Sequence, residues 1–371
     1  MSGPDTSVSK GRSGLAADKR RLGILAGVTA LFGVAAIIAV SVQESSVATR
    51  FAPVPFFAEL NEDSALAHKI VFTIGKGMQG TQSVTLVKQD EVWVIEERGG
   101  YPALDEKVQQ VLTGLVDLEK FEPRTANPKF HRQLGLREPE NLGRAVRLQV
   151  LGADDVEILS LLTGETVEGV SDTQGRGLLY ARRDGADQTW LARGRLPLNG
   201  EVTHWLDTDV MKFKRADIRE LVLWSGSPNP TYLSRADASE RDFSIANLPE
   251  GRVGRGAAIV NGSAVALASV QIEDVAPVDA ITFVNAPHVE MATFDGVRFG
   301  IDLMGGRGSL WARFDVTIDA DAVRAGGDPA VIQTRVDALK AKLDGWAFKL
   351  DERSSVKLIQ TMDGLTRPAD S

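Results

Sequence analysis

Cysteine is absent from the sequence, and histidine is rare, with four copies in 371 residues. A chain without thiols cannot form a disulfide, a thiolate zinc site or an iron–sulfur cluster. His68, His131, His204 and His288 are far apart, and none has a second histidine at the short spacing typical of a metal site. We therefore expect neither a metal ion nor a cofactor.

An excess of positive charge is also lacking, because the formal net charge is -8. Residues 1–42 contain five basic and two acidic residues, so the remaining 329 residues carry a formal charge of -11. Such an acidic surface is repelled by phosphate backbones, and no stripe of basic residues interleaved with aromatic ones occurs. Nucleic acid is therefore not expected as a partner.

One long apolar run is present, at residues 22–42, and it contains no charged residue. A helix rises about 1.5 Å per residue, so this run spans a hydrocarbon core of roughly 30 Å. Lys19, Arg20 and Arg21 precede it, and basic flanks stay in the cytoplasm. We predict a single-pass protein of the bacterial inner membrane, with a cytoplasmic N-terminus and a periplasmic C-terminal domain. The large apolar side chains of the predicted membrane anchor are Leu22, Ile24, Leu25, Val28, Leu31, Phe32, Val34, Ile37, Ile38, Val40 and Val42.

A cleaved signal peptide is the alternative interpretation of this run. Its apolar region would be shorter, about 7 to 15 residues before a site with small residues. Residues 39–41 and 46–48 are weak candidates for such a site, and either interpretation exports the folded part. The polar residues 1–21 predict a disordered cytoplasmic tail, and residues 43–68 a linker.

Beyond the linker, alternating apolar residues predict strands, and apolar stripes at helical spacing predict helices over 103–119 and from Asp328 to Gly345. A short helix is expected from Asn127 to Gly135. Because strands followed by a helix occur twice, we predict an α+β fold: a transmembrane helix, then a duplicated, mostly antiparallel β-rich unit with packed amphipathic helices. The two units are predicted at 69–217 and 218–371.

Three further elements are predicted in and near the second unit. Residues 205–213 are expected to be helical, while residues 280–285 and 356–359 are expected to be strands.

Two glycine-rich segments resemble phosphate-binding loops. Gly75–Gly80 reads G-x-G-x-x-G, but residues 81–87 alternate like a strand, whereas a nucleotide site requires a helix there. Residues 305–309 also lie between predicted strands. Both segments are therefore predicted to be hairpin loops.

Motifs of nucleophilic hydrolases are also lacking, since no Gly-x-Ser-x-Gly elbow occurs. Adjacent acids such as Asp154-Asp155 and Glu273-Asp274 lie in predicted turns, where carboxylates are usually solvated. We assign no catalytic residue and expect the protein not to be an enzyme.

Four segments carry a resemblance to a known family: Val92-Trp93-Val94-Ile95, Tyr101-Pro102-Ala103, the helical stripe Val108, Val111, Leu112, Leu115 and Leu118, and Leu134-Gly135-Leu136-x-x-Pro139. Together they resemble the domain of unknown function 4340 family, well over residues 85–140 and more loosely to about residue 225. The resemblance implies a bitopic envelope protein, and some relatives accompany ABC-2 type exporters or gliding-motility transport systems.

We therefore predict a membrane-anchored periplasmic accessory or scaffold protein, auxiliary to an ABC-type export system and acting by protein–protein contact. Its predicted partners are the lipid bilayer and other inner-membrane proteins such as an ABC permease. Two alternatives stay open, an envelope hydrolase acting on cell-wall or lipid substrates and a periplasmic small-ligand sensor. A carboxylate with a raised pKa in a cleft would favour the hydrolase, and a deep apolar pocket between the units would favour the sensor.

Overall fold

The computed structural model describes residues 52–58, 60, 66–208, 211, 213–269, 271–306 and 309–369. These residues form a mixed α and β structure in which both large sheets are antiparallel. Within this part of the chain, no helix has the length and apolar character needed to cross a bilayer.

The first sheet has ten strands in the order β1-β6-β10-β9-β8-β7-β2-β3-β4-β5. Their bounds are β1 (Val54–Pro55), β2 (Lys69–Gly75), β3 (Thr81–Gln89), β4 (Val92–Ile95), β5 (Tyr101–Pro102), β6 (Glu119–Pro123), β7 (Val146–Leu151), β8 (Glu157–Ser171), β9 (Gly177–Arg183) and β10 (Trp190–Gly194). The alternating apolar residues of β2 place Ile70 and Phe72 in the core, as the strand period requires.

The second sheet has eight strands in the order β13-β12-β11-β16-β17-β18-β19-β15, and β14 pairs separately with β20. Their bounds are β11 (Ile218–Leu223), β12 (Thr231–Ser234), β13 (Ser244–Ile245), β14 (Arg252–Gly254), β15 (Ile272–Pro277), β16 (His288–Thr293), β17 (Val297–Gly306), β18 (Ser309–Ile318), β19 (Trp346–Leu350) and β20 (Thr366–Pro368). In the strand order, β8 lies two strands from β2 in the first sheet, and β17 lies two strands from β11 in the second.

The two large sheets repeat one strand order. In each, a first strand (β2 or β11) has a short meander on one side and a second meander of four strands on the other, and a helix links the two meanders. The strand after that helix (β6 or β15) pairs with the last strand of the second meander (β10 or β19). The strands of the first sheet end at Gly194, and those of the second begin at Ile218.

Seven α-helices lie among the described residues. They are α1 (Asp105–Val116), α2 (Val202–Trp205), α3 (Ala257–Ala264), α4 (Ala320–Arg324), α5 (Pro329–Leu343), α6 (Glu352–Leu358) and α7 (Met362–Leu365). In α1, Val108, Val111 and Leu115 form the predicted apolar stripe and are fully buried. The helix α5 begins as predicted, with Asp328 accepting a hydrogen bond from the Ala330 amide.

The two sheets meet through their edges. Arg98, just before β5, donates from Nε and Nη2 to the carboxylate of Asp274 in β15, at 2.6 and 3.1 Å. Tyr101 of β5 packs edge-on against Trp346 and Phe348 of β19, with ring centroids 4.9 and 6.2 Å apart. One buried hydrophobic cluster therefore extends through both units, and two sheet edges are covered rather than open to another chain.

Three of the predicted elements are wrong. The helix expected at 205–213 ends at Trp205, because Leu206 is extended and pairs with Ala103. Residues 280–285 are not a strand, since β15 occupies the place beside β19 and Asn285 turns with a φ of 50°. Residues 356–359 fall largely within α6.

The local cause for α6 is its cap. Asp351 accepts a hydrogen bond from the amide of Ser354, which begins a helix where the apolar residues alone suggested a strand. The helix predicted from Asn127 to Gly135 is present as the 3-10 helix Pro128–Leu134, with Asn127 as cap and Gly135 in the left-handed region. The segment Gly75–Gly80 lies in the β2–β3 hairpin, as predicted. The second segment lies between the paired strands β17 and β18, and its residues 307 and 308 lie outside the described residues.

Candidate functional site

A groove of about 680 Å³ opens at the end of the first sheet where β2 ends and β7 begins. Three segments form it: the hairpin loop 75–80, the loop 132–144, and residues 164–165 of β8. The hairpin is tied to the loop by backbone hydrogen bonds, from the Gly75 amide to the Ala145 carbonyl at 3.0 Å and from the Gly77 amide to the Gly143 carbonyl at 3.2 Å. We call this feature the arginine groove.

Three arginines line the arginine groove, Arg132, Arg137 and Arg144, and all three are exposed. Among the described residues, none of their guanidinium groups has a hydrogen bond or an ion pair. Glu165 also lines the groove, so the lining carries a formal charge of +2, although the chain beyond residue 42 is acidic as a whole. A guanidinium group donates two parallel hydrogen bonds to a phosphate or carboxylate, which makes this a candidate anion-binding surface.

Glycine is required where the loop 132–144 crosses the sheet. A Cβ on Gly143 would lie 1.9 Å from the Arg137 carbonyl oxygen, and a Cβ on Gly164 would lie 2.1 Å from that of Leu134. Both neighbours are backbone atoms, so no side chain could move aside to accept a larger residue. Gly143 therefore allows the loop to close on itself, and Gly164 allows the loop to pack directly against β8.

The rim of the groove is apolar. Met78, at the tip of the β2–β3 hairpin, has 96% of its surface exposed, and Leu142 has 58% exposed. Leu142 also has a φ of 59°, an unusual conformation for a non-glycine residue. Exposed apolar side chains beside unpaired cations are typical of surfaces that contact a membrane or another macromolecule.

Neighbouring arginines behave differently. Arg182 is buried and pairs with Glu138, and it also donates from Nη1 to the carbonyl of Ala186 at 3.1 Å. Arg147 pairs with Glu140 and, from Nε, with Asp184 at 2.8 Å. These two side chains stabilise the loop itself, whereas the three groove arginines do not.

A second groove, of about 610 Å³, lies on the polar face of β16, β17 and β18. Its centre is Asp302, which accepts from Nδ1 of His288 at 2.8 Å and from Nε of Arg313 at 3.1 Å. Burial raises the pKa of Asp302, but the hydrogen bonds from Arg313 and His288 outweigh it, so the pKa lies below its ordinary value. The carboxylate of Asp302 therefore links three neighbouring strands, since it accepts from His288 of β16 and from Arg313 of β18.

The most buried carboxylate of the second sheet is that of Asp319, with 1% of its residue surface exposed. Arg298 donates to Oδ1 from Nη2 at 3.1 Å, and Arg219 lies 2.8 Å from Oδ2 in an ionic contact without hydrogen-bond geometry. Asp319 also caps α4 by accepting from the Asp321 amide. This cluster joins β11, β17 and α4, so its role is structural.

The other histidines do not converge on a site. His131 is buried, and its Nε2 lies 2.9 Å from the Asp187 carbonyl oxygen. Burial lowers the pKa of His204, and the nearby Lys107 lowers it further, while His68 is exposed on the surface. Over the described residues, no group of three or more potential metal ligands occurs.

The residues predicted for the membrane anchor, 22–42, lie outside the described residues, as do Lys19, Arg20 and Arg21. The arginine groove was not predicted from the sequence. The sequence shows only that three arginines and two glycines fall within residues 132–144 of an acidic chain, not that the arginines lack partners. Only the end of a short helix and the family motif that follows it are predicted for this segment from the sequence.

Comparison with known proteins gives one match. Residues 93–285 match the model of the family described as domain of unknown function (DUF4340). No curated protein and no solved structure matches the chain. The matched range contains Tyr101-Pro102, α1 and all three groove arginines, and it covers more than half of the sequence. The chain is therefore a member of the DUF4340 family.

Proposed function

We propose that this chain is a membrane-anchored accessory protein of the bacterial envelope, which acts by protein–protein contact beside an ABC-type export system. The observation that carries the proposal is the uncharged run at 22–42 with Lys19, Arg20 and Arg21 before it. The link to an ABC-type system is what the resemblance to this family implies, and it is the part of the proposal that the capture experiment below tests.

The join between the two sheets supports a scaffold role. The bidentate Arg98–Asp274 pair and the aromatic contacts of Tyr101 lie at one common interface, and the core continues across it. Two units held in this way keep a fixed relative orientation, which a scaffold needs in order to present two surfaces to its partners. We also infer that the units arose by duplication, and the shared strand order supports this.

Hydrogen bonds and nearby cations lower the pKa of several described carboxyl groups. Seven described carboxyls have a pKa below the ordinary value: Glu91, Glu138, Asp172, Glu201, Asp237, Asp302 and Asp351. Burial raises the pKa in several of these positions, but hydrogen bonds and nearby cations outweigh it. Such groups are ionised at neutral pH and suit ion pairs, whereas a general acid requires a raised pKa.

Two measurements on the full-length protein test the proposal. A phosphatase that is active only in the periplasm, fused after Ser371, should be active in growing cells. Affinity capture from detergent-solubilised membranes should recover an ABC permease or its ATPase. A control chain, with residues 22–42 replaced by an unrelated apolar helix, should recover the same partner if the folded part makes the contact. An inactive fusion, or capture without any ABC component, would contradict the proposal.

A further inference from the structure

We propose that the arginine groove binds the phosphate groups of anionic phospholipids, so that the end of the first sheet docks on the membrane surface. The inference rests on the proposed membrane anchoring and adds to it a second, reversible contact. Its residues are Arg132, Arg137 and Arg144 in the groove, with Met78 and Leu142 at the rim.

The charges of the groove match this ligand. The folded part of the chain is acidic, yet three guanidinium groups converge here without a partner among the described residues, and Glu165 is the acidic residue of the lining. Each guanidinium group can donate two parallel hydrogen bonds to phosphate oxygens. Arginines near an anionic membrane are attracted to its surface within about one Debye length.

The apolar rim distinguishes a membrane from a dissolved anion. Met78 is almost completely exposed, and Leu142 is more than half exposed, although a site for a small anion needs no apolar side chains around it. At a membrane, the two side chains would enter the region of the glycerol backbone while the guanidinium groups stay among the phosphates. Such a pairing of cations and apolar residues is typical of surfaces that lie in the lipid interface.

The position of the first strand is consistent with docking. The register carries Val54 of β1 across β6, β10 and β9 to Thr166 of β8, the residue after the groove-lining Glu165. Neighbouring strands lie about 4.8 Å apart, so β1 is roughly 20 Å from β8. From Val42, where the predicted anchor ends, to Val54 an extended chain reaches at most roughly 40 Å. An anchored chain can therefore bring the groove to the same membrane.

The absence of cysteine permits a clean test, because Met78→Cys creates a unique labelling site in the full-length protein. The labelled protein is placed in nanodiscs of phosphatidylcholine, with or without phosphatidylglycerol, and quenching of the fluorophore by a lipid-attached quencher is measured. We expect phosphatidylglycerol to raise the ratio of docked to undocked protein on the order of tenfold, and added salt to reverse the effect.

Two matched variants assign the effect to the groove. In the Met78→Cys background, Arg132→Gln, Arg137→Gln and Arg144→Gln together should abolish the response to phosphatidylglycerol. The control variant loses the same number of positive charges, through substitution by Gln of Arg195, Arg241 and Arg353, which are exposed and line other surface grooves. This variant should keep the full response to phosphatidylglycerol. A label at Val284→Cys, an exposed position in the second unit, should not be quenched.

Several outcomes would overturn the inference. One is quenching of the fluorophore on the Met78→Cys variant that is equal in both lipid mixtures, and another is a response that survives the loss of the groove arginines. A third is a response of the label to inorganic phosphate, but not to phosphatidylglycerol, with the same arginine dependence. Failure of the anchoring proposal is a separate result, because the protein would then not remain with the nanodiscs of either composition.

Discussion

The two sheets share one strand order but use arginine in opposite ways at corresponding strand ends. In the first sheet, the end formed by β2, β7 and β8 carries three exposed arginines without partners among the described residues. At the corresponding end of the second sheet, Arg313 of β18 shares the carboxylate of Asp302 on β17 with His288 of β16. The topology therefore does not need free cations at this end, and a role outside folding best explains those of the first sheet.

The strongest test of this contrast is at Asp319, since its carboxylate is buried beside Arg298 and Arg219. Asp319→Ala leaves both cations without their buried partner and removes the cap of α4, so it should destabilise the fold by about 3–5 kcal/mol. The free energy of unfolding can be measured by urea denaturation of the purified full-length protein, followed by tryptophan fluorescence.

Asp315 provides the control for Asp319. It lies on β18 of the same sheet, and its exposed carboxylate is 3.8 Å from Lys340. Asp315→Ala should therefore change the free energy of unfolding by less than about 1 kcal/mol. Equal effects of the two substitutions would mean that the Asp319 cluster does not stabilise the second sheet as the contacts indicate.

The join between the sheets gives the second prediction, through Tyr101. Burial raises the pKa of Tyr101 to about 12, and the charge of Asp207 acts in the same direction. Below pH 10 the phenol is neutral in both the folded and unfolded states, so its contribution is intact. Between pH 10 and about 12 only the unfolded state ionises, which should lower the free energy of unfolding by up to about 2–3 kcal/mol.

Tyr101→Phe should remove this part of the pH dependence while keeping the packing against Trp346. The comparison of the two proteins isolates Tyr101 from lysines and from the other two tyrosines, which titrate in both. Tyrosinate absorbance of the folded proteins provides a second readout. If the loss of stability above pH 10 is the same in both proteins, Tyr101 is not buried at the join in solution.

The third prediction concerns the ion pair at the same join. A double-mutant cycle on Arg98→Ala and Asp274→Ala should give a coupling energy of about 1 kcal/mol, because the pair is bidentate and about three-quarters buried. The neighbouring pair of Glu273 and Lys349, at 3.2 Å and more exposed, should give less than about 0.5 kcal/mol. A smaller coupling energy for Arg98 and Asp274 than for Glu273 and Lys349 would mean that solvent separates the sheet edges formed by β5 and β15.

The sequence predicted the parts of the fold that have strong local signals. The stripe of α1, the cap at Asp328 and the glycine-rich hairpins each depend on neighbours within one element. It did not predict β6 and β15, because those strands form by pairing with β10 and β19, far away along the chain. Tertiary pairing therefore decided the segments with weak periodicity.

The arginine groove could not be predicted for a related reason. Composition shows where arginines are, but not whether a carboxylate lies within reach of each one. Arg147 and Arg144 are three residues apart, and only the folded chain brings Glu140 and Asp184 to the former. An unpaired charge is thus a property of the tertiary structure rather than of the local sequence.

The smallest expected effect belongs to the groove itself, and it completes the contrast between the sheets. Since Arg132, Arg137 and Arg144 have no partner among the described residues, their replacement by Gln should change the free energy of unfolding by less than about 0.5 kcal/mol per site. Arg182→Gln, which leaves Glu138 without its buried partner, should cost about 3 kcal/mol or more in the same urea titration. A loss of several kcal/mol in the groove variant would place its arginines among the structural ones and remove the reason to assign them a ligand.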